Sequence, residues 1–288
     1  MSQASTFNLK EYLQARAQEV DQAMEVYLAP DPRSLGPIVE AMRYSVFPGG
    51  KRFRPVLALA SAEALGCDRR RAMPIACAFE LIHCFSLVHD DLPCMDDDDE
   101  RRGRPTNHKV YGEDVALLAG DGLSLWAFEV AMQSPDDLSA GTLRALVREL
   151  VAASGHPGMV GGQVIDLAAQ KSGQIDGAQL KKIHAAKTGA LIRGSVRCGA
   201  IVAGATAEQL RQLTVYGEKI GLVFQITDDI LDHMEDPEAV SYPALFGLEA
   251  SRKMAAEAVQ EALTNLEPFG DAAEPLRALA TYLLTRTT

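Results

Sequence analysis

Two stretches of this chain concentrate carboxylates. From His89 to Arg104 it reads His-Asp-Asp-Leu-Pro-Cys-Met-Asp-Asp-Asp-Asp-Glu-Arg-Arg-Gly-Arg, with seven carboxylates in the eleven positions 90–100. Asp228, Asp229 and Asp232 form the second group, after Phe224-Gln225-Ile226-Thr227. Both groups follow apolar, helix-forming sequence, so they put negative charge at a helix C-terminus. There the helix dipole opposes it, at a cost of a few tenths to about 1 kcal/mol each. Two clusters held against that cost call for a compensating cation. Asp228 and Asp232 are four apart and share a helix face. Pro93 interrupts the first cluster, so a turn would bring Asp96 back beside Asp90. All-carboxylate donors select a hard cation, and few carboxylates per ion suit Mg²⁺ that completes its shell with water and phosphate. Basic residues stand nearby in sequence or in separate motifs: Arg101, Arg102 and Arg104; Gly49-Gly50-Lys51-Arg52-Phe53-Arg54-Pro55; and Lys187-Thr188-Gly189. Metal-binding carboxylates together with Arg and Lys fit a diphosphate, whose oxygens need both.

The elements that must hold these residues read as helices throughout. Apolar residues recur at three- and four-residue spacing near 7–29, 35–46, 53–66, 70–91, 112–133, 139–154, 158–170, 178–203, 207–233 and 244–284. Thr206 with Gln209 reads as a capping box, and no segment alternates as a strand does. Residues 73–88 and 188–204 are apolar nearly all round, as helices buried in the middle of a bundle are. The expected fold is all-α, a single domain over 1–288 built as a large helical bundle around a deep central cavity.

The chain has 288 residues, 47% hydrophobic and 23% charged, which excludes disordered and low-complexity classes. A net charge of −11 disfavours nucleic acid and anionic lipid as partners. No apolar run of about 18 residues stands out as a membrane span, and the first ten residues do not read as a signal peptide. The five cysteines lack a Cys-x-x-Cys pair and read as free thiols. A cytoplasmic location is the expectation.

Five motifs in order then resemble the short-chain trans-prenyltransferases, the polyprenyl synthetase family. They are Gly-Gly-Lys-Arg-Phe-Arg-Pro at 49–55, Asp-Asp-x-x-x-x-Asp at 90–96 followed by Arg-Arg-Gly, Gly-Gly-Gln-x-x-Asp at 161–166, Lys-Thr-Gly at 187–189, and Gln-x-x-Asp-Asp-x-x-Asp at 225–232. The resemblance runs from about Tyr12 to the C-terminus. It implies an isoprenoid-synthase bundle, a homodimer, and condensation of isopentenyl diphosphate with dimethylallyl or geranyl diphosphate to farnesyl diphosphate. It also implies roles: Lys51, Arg54, His83 and Arg102 on isopentenyl diphosphate, and Asp90, Asp91, Asp96, Asp228, Asp229 and Asp232 on three Mg²⁺. Arg101, Lys187, Thr188 and Gln225 would serve the allylic diphosphate and the cation it leaves, with Gln163 and Asp166 lining the same cavity. Phe85 lies five residues before Asp90, roughly 7.5 Å back along a helix, where the family's rule places a bulky floor that stops growth at fifteen carbons.

The family also has a Lys-containing loop after the second aspartate motif. Here Asp232-His233-Met234-Glu235-Asp236-Pro237-Glu238 passes almost directly into Ala239-Val240-Ser241-Tyr242-Pro243. Three rivals stay open. His89-Asp90 with His83 spells a histidine-aspartate phosphohydrolase, but leaves the second aspartate group and Lys51/Arg54 unexplained. A class I terpene cyclase shares the first motif only. A non-catalytic regulatory subunit of a prenyltransferase would typically lack one or both aspartate motifs. Within the family, geranyl diphosphate synthesis is the nearest alternative.

Overall fold

A computed structural model describes residues 7–286 apart from 31, 48, 173–174 and 236–239. The shortened segment after Asp232, where the Lys-containing loop is expected, lies largely outside the described residues. Helices α1 (Leu9–Tyr27), α2 (Ile38–Val46), α3 (Phe53–Ala64) and α4 (Met73–Asp90) lead to a two-residue hairpin, β1 (Glu100–Arg101) and β2 (Arg104–Pro105). There follow α5 (Asn107–Tyr111), α6 (Glu113–Met132), α7 (Ala140–Ser154), α8 (Met159–Ser172) and α9 (Gly177–His184). The chain continues through α10 (Ala190–Val202), α11 (Ala207–Glu235), α12 (Tyr242–Phe246), α13 (Leu248–Leu266) and α14 (Glu274–Thr285).

Local chemistry sets the starts. Asn8 and Ser139 accept bonds from first-turn amides, and Asp176 with Gln179 forms a capping box. The expected box at Thr206 is present, with Thr206 N donating to Gln209 Oε1 and Gln209 N to Thr206 Oγ1.

Four features differ from the sequence expectation. The span 178–203 contains a π-helical turn, Ala185–Gly189, between α9 and α10. The span 244–284 is divided at Gly247 and again at a 3₁₀ stretch, Glu267–Ala273, where Gly270 takes φ 56°. The hairpin is a minimal strand pair, turned by Arg102 and Gly103 at positive φ. Two helical stretches, Arg69–Asp90 and Glu113–Met132, are long and apolar enough to cross a bilayer, against the expectation of none. In the first, 72% of the apolar window is buried inside the protein, so its hydrophobicity is spent on packing. The second is only 39% buried, because α6 presents Leu117, Leu118, Leu125 and Met132 outward.

α4 packs against α3, α6 and α10, which explains a helix apolar on every side. One core gathers around α4 and α6; another joins α3, α10, α11, α13 and α14. The two aspartate groups stand at the C-terminal ends of α4 and α11, one from each core.

Candidate active site

Pro93 does what its position predicts. The chain turns after α4, and Asp96 N donates to Asp90 O at 2.9 Å while Asp97 adopts a left-handed φ of 54°. Asp90 and Asp96 are thereby neighbours. α11 carries Asp228 and Asp232 one turn apart, with Gln225 a turn earlier.

A cavity of about 420 Å³ opens beneath Asp90. Arg54 and His83 line one part of it, Lys187 and Thr188 another, and Gln163 reaches Asp90 through Nε2–Oδ1 at 3.0 Å. Met159, Val160, Val164 and Leu167 complete the cavity lining, Val160 and Val164 at exposed positions, with Phe85 meeting His89 edge-on at 5.0 Å. His89 Nε2 lies 3.0 Å from the Leu117 carbonyl. It occupies space that a side chain at Gly120 would fill.

The Gly-Gly-Gln motif has a packing reason. A Cβ at Gly162 would overlap the Lys187 backbone, so glycine lets α8 lie directly against the π-helical turn. That contact holds Lys187 where its Nζ donates to Asp166 Oδ2 at 2.7 Å. π-turns are frequent at functional sites, and this one contributes both Lys187 and Thr188 to the cavity lining.

The cations sit on formed scaffolds. Arg101 donates to Asp91 at 2.5 Å and to Asp98 at 2.8 Å. Arg102 donates to the Gly49 carbonyl, and a Cβ at Gly50 would stand 3.0 Å from its guanidinium. The second motif glycine thus lets the hairpin meet the Lys51 turn. Arg54 is half-buried, and among the described residues its buried Nε–H has no acceptor. Burial lowers its pKa against the pull of Glu80 and Asp228. An orphan buried donor on a cavity wall fits an anionic ligand. His83 is driven well below its ordinary pKa by burial and by Arg54 and Arg102, so it is neutral.

The electrostatics of the aspartates follow from the same burial. Asp90 is pushed up to about 6 by desolvation and by Asp96, against Lys187. Desolvation raises Asp229 to about 7, against the Tyr242 amide. Asp91 and Asp228 are also raised, chiefly by burial.

Several of the six expected metal ligands already have protein partners: Asp90 accepts from Gln163 and Asp228 from Arg286. Asp91 is buried against Arg101 in a small cleft beside the main cavity. Asp229 accepts from Tyr242 N at 2.8 Å and lies 3.8 Å from His184 Nε2. Among the described residues no three acidic, His or Cys side chains converge as a ready-made metal cage. Asp90, Asp96, Asp228 and Asp232 are hard oxygen donors in ones and twos. That donor set suits Mg²⁺ sharing its shell with water and phosphate rather than a metal held by protein alone.

Sequence reasoning missed one residue here. Arg286, just past α14, donates to Asp228 Oδ1, to Thr227 Oγ1 and to the Phe224 carbonyl, and lies 4.3 Å over the Phe224 ring. Phe224 in turn stacks on Phe53 at 5.4 Å. No local pattern announces this contact across 58 residues.

Comparison with known proteins agrees with the motifs. Residues 37–246 match the polyprenyl synthetase family model. The chain is 44% identical to a dimethylallyltranstransferase of Fischerella ambigua over 98% of its own length and 85% of the relative's. It is 43% identical to a chloroplastic geranylgeranyl pyrophosphate synthase of Catharanthus roseus, over 99% and 83%. An FPP/GFPP synthase structure from Zymomonas mobilis superposes with a TM-score of 0.89 at 39% identity, covering 96% of this chain and 99% of that one.

Proposed function

Because this chain belongs to the polyprenyl synthetase family and is a short-chain prenyltransferase, we propose that it condenses isopentenyl diphosphate with an allylic diphosphate, giving farnesyl diphosphate as its main product. The observation that carries this reading is one cavity lined by Asp90, Arg54 and Lys187 together with Phe85 and the apolar side chains of Met159, Val164 and Leu167. The allylic diphosphate binds between Asp90/Asp96 and Asp228/Asp232, with Lys187 and Arg101 beside it. These carboxylates would hold Mg²⁺, three ions being expected with substrate, and the bound metal would neutralise the charge of a leaving diphosphate. Lys51, Arg54, Arg102 and neutral His83 hold isopentenyl diphosphate. Thr188, Gln225 and the carbonyls of the π-turn face the cation left on the allylic carbon. The isopentenyl double bond attacks that carbon, and the released proton goes to the departing diphosphate. The apolar side chains of Met159, Leu167 and Phe85 in the cavity wall limit the water that would quench the cation.

The test is to incubate the protein with isopentenyl diphosphate, Mg²⁺ and either dimethylallyl or geranyl diphosphate, then size the dephosphorylated products. Fifteen carbons from both primers supports the reading, and ten alone redirects it to geranyl synthesis. A twenty-carbon product is the second reading, favoured by the geranylgeranyl synthase relative.

The raised carboxylates predict a pH dependence. Asp90 and Asp229 have folded pKa values above those of an unfolded chain. Their contribution to stability is therefore full below about pH 4 and is lost as pH rises through 6 and 7. Mg²⁺ would bind the ionised form of Asp90, while ionised Asp229 is held by the Tyr242 amide. Melting curves should show a larger Mg²⁺-induced rise in Tm at pH 8 than at pH 5.5; an equal rise at both would refute the assignment.

A homodimer accounts for the apolar face of α6. Leu118, Leu125 and Met132 repeat at seven-residue spacing and are exposed, the pattern of a helix seam. Light scattering should give twice the chain mass, and L118E/L125E should give a monomer. A monomeric wild type would contradict this.

A further inference from the structure

Among the basic residues of the turn that presents Lys51 and Arg54, Arg52 faces the other way. Its guanidinium is fully buried and forks to three helices. Nε donates to Asp21 Oδ1 of α1 at 2.8 Å, Nη1 to Glu80 Oε1 of α4 at 2.9 Å, and Nη2 to the Val46 carbonyl ending α2 at 2.8 Å. The backbone of Arg52 is left-handed, φ 46° and ψ 37°, a conformation disfavoured for any residue with a Cβ. Such a residue persists only where its surroundings over-determine it, and three anchors on three elements do so. The inversion sends Arg52 inward at the very start of α3, on which Arg54 follows two residues later. Glu80 stands one turn before His83 on α4. One ion pair therefore sets the register between the turn bearing Lys51 and Arg54 and the helix bearing His83. Arg102 meets the same turn from its other side, on the Gly49 carbonyl.

We infer that Arg52 is a positioning residue for the isopentenyl diphosphate cradle: its clamp on Asp21, Glu80 and Val46 fixes Lys51 and Arg54 relative to His83. This rests on the assignment of Lys51, Arg54 and His83 to that co-substrate. The clamp demands a fork, because a lysine ammonium reaches one partner where the planar guanidinium reaches three. The allylic side depends on it less, since α4 is held independently by α6 and α10.

The experiment compares R52M/E80M and R52K with wild type, measuring KM for isopentenyl diphosphate, KM for geranyl diphosphate, kcat and Tm. Replacing both buried charges by apolar side chains of similar length avoids stranding either one. The double variant is expected to melt near wild type and to raise KM for isopentenyl diphosphate about tenfold or more, since small misplacements of binding groups are costly. KM for geranyl diphosphate should move less than about threefold, as the allylic site is built elsewhere. R52K keeps the charge and loses the fork, so it should show the same one-sided rise even if the double variant does not fold. An unchanged KM for isopentenyl diphosphate, a parallel rise in both KM values, or full activity in R52K overturns the clamp. A wild type that condenses nothing overturns the functional reading beneath it, a result separable from any of these.

Discussion

Replacing Asp90 with Asn is expected to lower kcat about 10³-fold or more while leaving the fold intact. Preorganised groups at developing charge are typically worth 10²–10³ each, and Asp90 serves a metal as well. The substitution isolates that role. Asn is isosteric, and its Oδ1 accepts the bond that Gln163 Nε2 now makes to Asp90 Oδ1. Asp90 is also destabilised as a carboxylate by burial and by Asp96, so its loss relieves a desolvated charge. Above about pH 6 the metal-free variant should melt at or above the wild-type temperature. Turnover falls while stability does not. KM for isopentenyl diphosphate should change little, because its cradle is built from α3, His83 and the hairpin. Steady-state kinetics with paired melting curves checks this, and an Asp90→Asn enzyme with wild-type turnover would be incompatible with the assignment.

Phe85→Ala should change what is made rather than how fast. The ring stands about 7.5 Å below Asp90 along α4, at 1.5 Å per residue, edge-on to His89. His89 is held in turn near the Leu117 carbonyl, in the space left by Gly120. Removing the ring opens the path toward Ile82, three residues and about 4.5 Å further down at 1.5 Å per residue, room for a further isoprenoid unit. The dominant product should shift from fifteen carbons to twenty or more. Chromatography of the dephosphorylated alcohols reads the shift directly, and an unaltered product length would make Phe85 ordinary core. The family itself leaves length open, since relatives of similar identity are named for geranylgeranyl and for farnesyl or longer products.

What the sequence made legible was local. The turn that returns Asp96 to Asp90 follows from Pro93, and the shared face of Asp228 and Asp232 follows from helical spacing. The same geometry could have separated ligands from neighbours. Adjacent helical residues point about 100° apart, so Asp90 and Asp91, or Asp228 and Asp229, do not both face one cavity. Asp91 indeed turns to Arg101 and Asp229 to Tyr242. The Ala185–Gly189 stretch reads as ordinary helix, because a π-turn comes from packing against Gly162 rather than from its own residue types. Arg286 and the inward turn of Arg52 were invisible for a related reason. Each is set by partners from distant helices that only the folded chain assembles.

The most direct measurement is diphosphate release from geranyl diphosphate and Mg²⁺, with and without isopentenyl diphosphate. A condensing enzyme releases one diphosphate per isopentenyl unit incorporated, little without that co-substrate, and none once EDTA removes the metal. Equal release in the absence of isopentenyl diphosphate would instead make the site a hydrolase, and metal-dependent binding with no release at all would make the chain a non-catalytic subunit.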